Sequence, residues 1–250
     1  MCAHGSLMKM RNLQRHLKRW LWRGGIDVVR FNPSTHPLAR RAKLLQNYQI
    51  SLVLDVGANT GQYATELREL GYQGRIVSFE PLQSAYAQLS AAAQSDPHWE
   101  TRHHALGADE DEREIHIAAN SQSSSFLGAL PLLLKSYPES KYIASEKVKI
   151  RPLNAVFDEV ARPDDRVWLK IDTQGYEKAV IEGAENVLPR ITAIQAEVSL
   201  HQLYEGEATL AEFIPFMETK GFSLVGLETY QGDAVTSHLL QVDCIFHRST

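Results

Sequence analysis

The stretch that decides the fold is Val53-Leu54-Asp55-Val56-Gly57-Ala58-Asn59-Thr60-Gly61-Gln62. An apolar run from Ile50 to Val56 stops abruptly at a glycine-bracketed turn. Tyr63, Leu67 and Leu70 then recur at helical spacing. That pattern reads as a buried strand, a tight turn and an amphipathic helix. Glycines at 57 and 61 let the backbone adopt left-handed dihedrals and approach a ligand closely. About 25 residues later a second apolar run, Arg75–Phe79, ends in Glu80-Pro81. An acidic residue at the tip of the second strand is where nucleotide-binding α/β folds hold a ribose diol.

The glycines are spaced G-x-x-x-G, which is not the G-x-G-x-x-G of a dinucleotide fingerprint. Asp55, two residues before the first glycine, would repel a pyrophosphate but suits a cationic amino-acid end. The ligand this favours is a nucleoside carrying positive charge, S-adenosylmethionine. The competing reading is a glycine turn with no ligand.

Outward from this motif, strands and helical segments alternate. Strands are expected at 50–56, 75–80, 98–106, 113–118, 148–151, 166–172 and 191–199, with a final pair at 222–228 and 239–247. Helices fall at 36–47, 60–70, 82–92, 155–160, 176–187 and 207–220. The alternation predicts a doubly wound, Rossmann-like α/β sheet, mostly parallel, whose last two strands pair antiparallel for want of a helix between them. Residues 120–146 read as a long Ser-rich loop, a length usually reserved for function.

The chain has 250 residues, 44% of them hydrophobic, and a net charge of −4. Residues 1–45 nevertheless carry ten lysines and arginines against one acid, Asp27. The expected organisation is a basic helical arm, 1–48, before a catalytic domain, 49–250. Within the arm, Leu13, Leu17, Trp20 and Leu21 share one face of a helix over 9–23, with basic residues around them. Such a helix suits an anionic membrane surface; the competing reading packs it on the domain or on a second subunit, as in a homodimer. Cys2 and Cys244 at opposite ends build no disulfide framework, which fits a reducing cytoplasm. No apolar run reaches the length of a membrane span. These features place the protein in the cytoplasm, with the arm reaching the inner face of the membrane. The acidic body, lacking interleaved basic and aromatic residues, argues against nucleic acid as partner.

Ligands in such sheets bind beyond the carboxyl ends of the strands. The residues expected there are Asp55, Gly57, Asn59 and Gly61, Glu80 and Pro81, Ala105 and Leu106, Asp172 with Gln174, and Glu197 with His201. Leu106 and its neighbours would face the adenine. Methyl transfer to a hydroxyl needs alignment and a proton acceptor, for which Asp172, Glu197 and His201 are the candidates. Asp172 could instead be a helix cap, and Glu197 and His201 surface or core partners. Ser123, Ser124 and Ser125 are either turn residues or hydroxyls lining an acceptor pocket. Asp172 and Glu197 could share a divalent cation, but no tight cluster of three ligands argues for metal.

Three motifs in order, Val53–Gly61, Ser78-Phe79-Glu80-Pro81 and Leu169-Lys170-Ile171-Asp172-Thr173-Gln174-Gly175-Tyr176-Glu177, resemble the FkbM-type S-adenosylmethionine-dependent methyltransferases over about residues 50–247. The third motif, followed by Ile181-Glu182-Gly183-Ala184, is the more specific. The resemblance implies a seven-stranded sheet with an antiparallel last strand, O-methylation of sugars, glycolipids or polyketide-type metabolites, cofactor binding by Asp55, Gly57, Asn59, Gly61 and Glu80, and a catalytic centre around Asp172. The chain departs from the family at Gln174, where Glu is usual, and at Leu153-Asn154, where Leu-Asp is frequent. A glutamine cannot act as a base, so Asp172 is expected to carry more of that role, and Asp172→Ala to abolish turnover while cofactor still binds.

Overall fold

The computed structural model describes residues 18–229, 232, 233 and 235–248. The chain divides into two compact units, Met1–Lys43 and Leu44–Thr250, a boundary five residues before the expected one. In the first unit residues 18–23 are helical; the rest of the expected arm helix, 9–17, lies outside the described residues. Helix α1 spans Pro37–Asn47.

The second unit is built on a seven-stranded sheet. Its strands are β1 (Leu52–Val56), β2 (Arg75–Phe79), β3 (Trp99–Arg102), β7 (Val167–Ile171), β8 (Ile191–Ser199), β9 (Phe222–Glu228) and β10 (Gln241–Arg248). They lie in the order β3-β2-β1-β7-β8-β10-β9. β3, β2, β1, β7 and β8 are mutually parallel, whereas β10 runs antiparallel to both β8 and β9. The order reverses between β1 and β7, which opens the crevice where such sheets bind ligands.

Helices cover both faces. On one, α5 (Leu153–Val160), α6 (Glu177–Glu182) and α7 (Leu210–Thr219) pack Phe157, Ile181, Phe213 and Met217 on Leu54, Leu169, Ile194 and Phe246. On the other, α2 (Gln62–Glu69) and α3 (Gln83–Ala93) pack Leu67 and Leu89 on Val53, Ile76 and Trp168. Strands buried on both faces lose the alternation of a half-exposed strand, which is why β1 and β7 read as continuous apolar runs. A Thr209–Glu212 capping box starts α7, satisfying the first free N–H groups of the helix.

Two expectations are corrected. The single strand expected at 98–106 is broken. β3 ends at Arg102, and Ala105–Leu106 form β4 in a separate three-stranded sheet, where it pairs with the end of β6 (Tyr142–Arg151), itself flanked by β5 (Asp111–Ala118). The break falls at His103 and His104, whose rings turn to aromatic partners instead of following the ladder: His103 stacks on Tyr86 and His104 meets the Phe79 ring edge-on. The loop expected at 120–146 is also largely structured. It holds α4 (Pro131–Ser136) and the first half of β6 (Tyr142–Arg151). β6 pairs antiparallel along β5 (Asp111–Ala118). One face of this hairpin is exposed and charged, so most of its residues carried no apolar signal. Ile115 and Val148 on the opposite face cover Leu82, just before α3, and Ala85 within it.

Candidate functional site

Strand register brings the chemistry into two rows. The first crosses the sheet as Thr101, Ser78, Asp55, Lys170 and Gln195 on adjacent strands. Among these, Ser78, Asp55, Lys170 and Gln195 are buried, so each needs a partner. Trp99 Nε1 donates to Ser78 Oγ (3.0 Å), and Ser78 Oγ donates to Asp55 Oδ2 (3.0 Å). Tyr63 on α2 accepts from Trp168 Nε1 (3.1 Å) and donates to Gln195 Oε1 (2.8 Å). Asp55 Oδ1 is left buried without a hydrogen-bond partner among the described residues. Burial raises the Asp55 carboxyl above its usual range, opposed by the nearby Lys170 charge.

The second row lies two residues further along, at the carboxyl ends: Glu80, Gly57, Asp172 and Glu197, with Asp243 on β10 opposite Glu197 and Glu228 on β9 opposite Asp243. Gly57 has φ +77, and a Cβ there would stand 1.9 Å from the Asp172 carbonyl oxygen. Backbone contact therefore joins the β1 turn directly to the end of β7, and only glycine permits it. Gly61, at φ +93, is pressed on the Trp99 ring. Glu80 Oε2 accepts from the Asn59 N–H and Oε1 from the Leu82 N–H, both at 2.8 Å. Asn59 in turn donates through Nδ2 to Ser121 Oγ (3.1 Å). Burial pushes the Glu80 carboxyl up to about 7 against these two hydrogen bonds.

Asp172 caps no helix, since α6 begins at Glu177 after a Tyr176 cap. Its Oδ2 accepts from Lys170 Nζ (2.8 Å) and its Oδ1 from Gln174 Nε2 (2.7 Å). The same Gln174 nitrogen donates to Glu197 Oε2 (2.7 Å), while Gln174 Oε1 accepts from the Tyr204 hydroxyl (2.7 Å). Gln241 Nε2 also donates to Glu197 Oε2 (3.0 Å). A glutamine here supplies two N–H donors to two carboxylates, whereas a glutamate carries no donor when ionised and a single O–H when protonated. Burial raises Glu197 well above the ordinary carboxylate range, reinforced by Asp172 and Asp243 and opposed by Lys170.

The remaining candidates sit as follows. Ala105 and Leu106 are buried in β4, and Leu106 packs in the core with Val77 and Leu153. Ser124 Oγ donates to the Ser121 carbonyl (2.6 Å) and accepts the Ala118 N–H (3.1 Å). Ser125 Oγ donates to the Gln174 carbonyl (2.7 Å) and accepts the Leu127 N–H (3.0 Å), and the residue is 1% exposed. Ser123 Oγ meets Asn120 Nδ2 and Ser140 Oγ, both at 2.9 Å. These hydroxyls fold the segment and fasten it to the Gln174 loop. Pro81 is partly buried where the chain leaves β2. His201 is exposed beyond β8 and makes no hydrogen bond among the described residues.

Sequence reading gave no role to Lys170, Tyr204 and Glu207, and Glu177, expected as first-turn charge on its helix, proves buried there. Lys170 is 5% exposed inside an apolar strand, and a charge there is rare unless paired; that anomaly was the available signal. Tyr204 orients Gln174. Glu207 holds the segment carrying Tyr204, accepting from the Tyr204 N–H (3.0 Å), the Leu203 N–H and Ser199 Oγ (3.0 Å). Glu177 accepts from the Thr173 N–H (2.9 Å) and the Gly175 N–H (3.2 Å), closing the loop between Asp172 and α6.

The sheet order, the antiparallel β10 and the site at the strand ends define a Rossmann-like α/β fold. The model of the FkbM methyltransferase domain matches residues 55–224. The chain belongs to that family and is an S-adenosylmethionine-dependent methyltransferase. It is similar to 2-O-methyltransferase NoeI of Sinorhizobium fredii, with 25% identity over 187 residues covering 70% of this chain and 73% of the relative. Among solved structures it resembles magnesium protoporphyrin IX methyltransferase from Synechocystis PCC 6803 (TM-score 0.47, 11% identity, 85% and 78% of the two chains). It also resembles an rRNA methylase from Streptococcus thermophilus (TM-score 0.47, 10% identity, 86% and 98%).

Proposed function

We propose that the protein methylates a hydroxyl of a sugar in a glycolipid or polysaccharide precursor. The observation that carries this reading is the Asp172–Glu197 pair, bridged by Gln174 beside the glycine turn. A sugar hydroxyl is a weak acid whose attack requires a group to receive its proton, and carboxylates also accept hydrogen bonds from neighbouring hydroxyls. The likeness to a 2-O-methyltransferase supports oxygen as the methylated atom.

The residues fit the cofactor. Each Glu80 oxygen accepts one backbone N–H and keeps a lone pair, enough for the two hydroxyls of a ribose. Asp55 Oδ1 is an unmet acceptor in the first row, suited to an amino group. Asn59 and Gly61 shape the turn, and Pro81 fixes the chain beyond Glu80. When bound, S-adenosylmethionine supplies an electrophilic methyl group. The protein aligns the hydroxyl with it, keeps water out and receives the proton. Among the described residues no three His, Cys, Asp or Glu side chains converge as a metal site.

The first unit suits a glycolipid acceptor. Trp20, Trp22, Ile26, Val28, Val29 and Phe31 are exposed, among Lys18, Arg19, Arg23 and Arg30. Apolar anchors interleaved with basic residues match an anionic bilayer surface. No helix among the described residues is long and apolar enough to cross a membrane.

The test is label transfer from methyl-labelled S-adenosylmethionine into lipid, polysaccharide, RNA and small-molecule fractions of a host extract. Label in lipid or polysaccharide, released with the sugars, is expected. Label confined to small molecules would move the acceptor to a secondary metabolite, and label in RNA alone would overturn the reading.

A further inference from the structure

We infer that Glu197, through Oε1, takes the proton of the acceptor hydroxyl, and that Asp172 is a positioning residue. This rests on the O-methylation reading above and divides the labour between its two carboxylates.

The division follows from what each oxygen already touches. Both oxygens of Asp172 are engaged, Oδ2 by Lys170 Nζ and Oδ1 by Gln174 Nε2. Both amide donors near Glu197, from Gln174 and Gln241, converge on Oε2. Oε1 makes no hydrogen bond among the described residues. The energetics agree. Asp172 is the carboxylate hydrogen-bonded to the Lys170 ammonium, which is 5% exposed. A proton placed on Glu197 relieves repulsion from Asp172 and Asp243, which flank it from the end of β7 and from β10.

With both Asp172 oxygens engaged and Glu197 Oε1 open, the two carboxylates fall into separate roles. Lys170, Asp172 and Asp243 are the charges that act on Glu197, and the hydroxyls of Tyr137 and Tyr204 lie near enough to feel it. Tyr204 accounts for the orientation of the bridge. Its hydroxyl donates to Gln174 Oε1, so the amide presents both its N–H bonds to the carboxylates.

The step then balances. The hydroxyl O–H breaks and its proton goes to Glu197 Oε1. The oxygen's electron pair forms the bond to the methyl carbon. The carbon–sulfur bond breaks with its pair retained on sulfur, which becomes a neutral thioether. Water removes the proton from Glu197 after product leaves.

The experiment compares the full-length protein with Glu197→Gln, Asp172→Asn and Gln174→Glu. Methyl transfer to the labelled sugar fraction is followed against pH. Calorimetric binding of S-adenosylhomocysteine reports an intact cofactor site, and carboxyl carbon-13 resonances report Glu197 titration without any acceptor. Glu197→Gln should lose about 100-fold or more in kcat with S-adenosylhomocysteine binding kept. Asp172→Asn should retain more activity. Its acid limb and the Glu197 resonance should both move to lower pH, because a like charge has gone. Gln174→Glu should move them higher. An Asp172→Asn loss larger than that of Glu197→Gln overturns the assignment, and so does a Glu197 resonance titrating near the ordinary 4.3 in the wild type. A wild type that labels no hydroxyl acceptor instead overturns the O-methylation reading, and this assignment with it.

Discussion

Replacing Gly57 with alanine tests whether the two halves of the site share one backbone contact. Two costs follow from the geometry. At φ +77 an L side chain is strained by about 1–2 kcal/mol. The new Cβ would lie 1.9 Å from the Asp172 carbonyl oxygen, so the β1 turn and the end of β7 must separate, an overpacking cost of about 1–3 kcal/mol. The sum, about 2–5 kcal/mol, is a large part of the stability of an ordinary domain. Gly71 is the internal control. Its φ is +87, yet a Cβ there would meet nothing within 4 Å, so Gly71→Ala carries the strain alone. Equilibrium urea unfolding of both variants isolates the contact as the difference between them. Gly57→Ala should also weaken S-adenosylhomocysteine binding, and Gly71→Ala should not. Equal destabilisation of the two would refute the argument, because strain without contact would then explain everything.

Three further outcomes are expected. Tyr63→Phe removes the acceptor of the buried Trp168 N–H and the donor to Gln195, which should cost about 1–3 kcal/mol in denaturant unfolding; no loss would mean the polar row tolerates unpaired groups. Burial lifts Glu177 from 4.5 to about 7, so between those values the folded chain holds a proton that the unfolded chain has released. Stability from this group therefore falls as pH rises from 4.5 to 7 and is level above. The melting temperature of Glu177→Gln, measured relative to wild type, should rise across that window, and a pH-independent difference would contradict the assignment. Trp20→Ala combined with Trp22→Ala should reduce flotation with phosphatidylglycerol vesicles, and added salt should weaken what remains; wild-type protein that never floats would remove the membrane role.

The central sheet was legible because its strands are short apolar runs ended by glycine or an acid: Val53–Gly57, Val77–Glu80, Leu169–Asp172. The residues at those tips stand together at one edge because parallel strands put like ends side by side. Of the β5–β6 pair only the alternating parts, 113–118 and 148–151, were legible; the first half of β6, residues 142–147, is mostly exposed and has no apolar alternation to mark it. Ala105 and Leu106 read as the continuation of β3, because nothing in the sequence announces that two histidines will turn to aromatic partners. In the site, Asp172, Glu197 and Gln174 were identified and their linkage was not. A hydrogen bond between residues 23 apart depends on register, and Tyr204 reaches Gln174 from a loop that no periodicity describes. The serines at 123–125 could not be resolved between turn and pocket from composition alone, since a hydroxyl serves either use.

The buried polar row also fixes how the strands align during folding. Thr101, Ser78, Asp55, Lys170 and Gln195 occupy one level of five adjacent strands. A slip of β7 by one residue would turn Lys170 to the opposite face, among Leu54, Ile194 and Phe157, and strand a charge in hydrocarbon. Misaligned pairings of these otherwise interchangeable Val, Leu and Ile segments are thereby penalised in the packed sheet. A lysine in the middle of the sheet acts as a proofreading mark for its assembly.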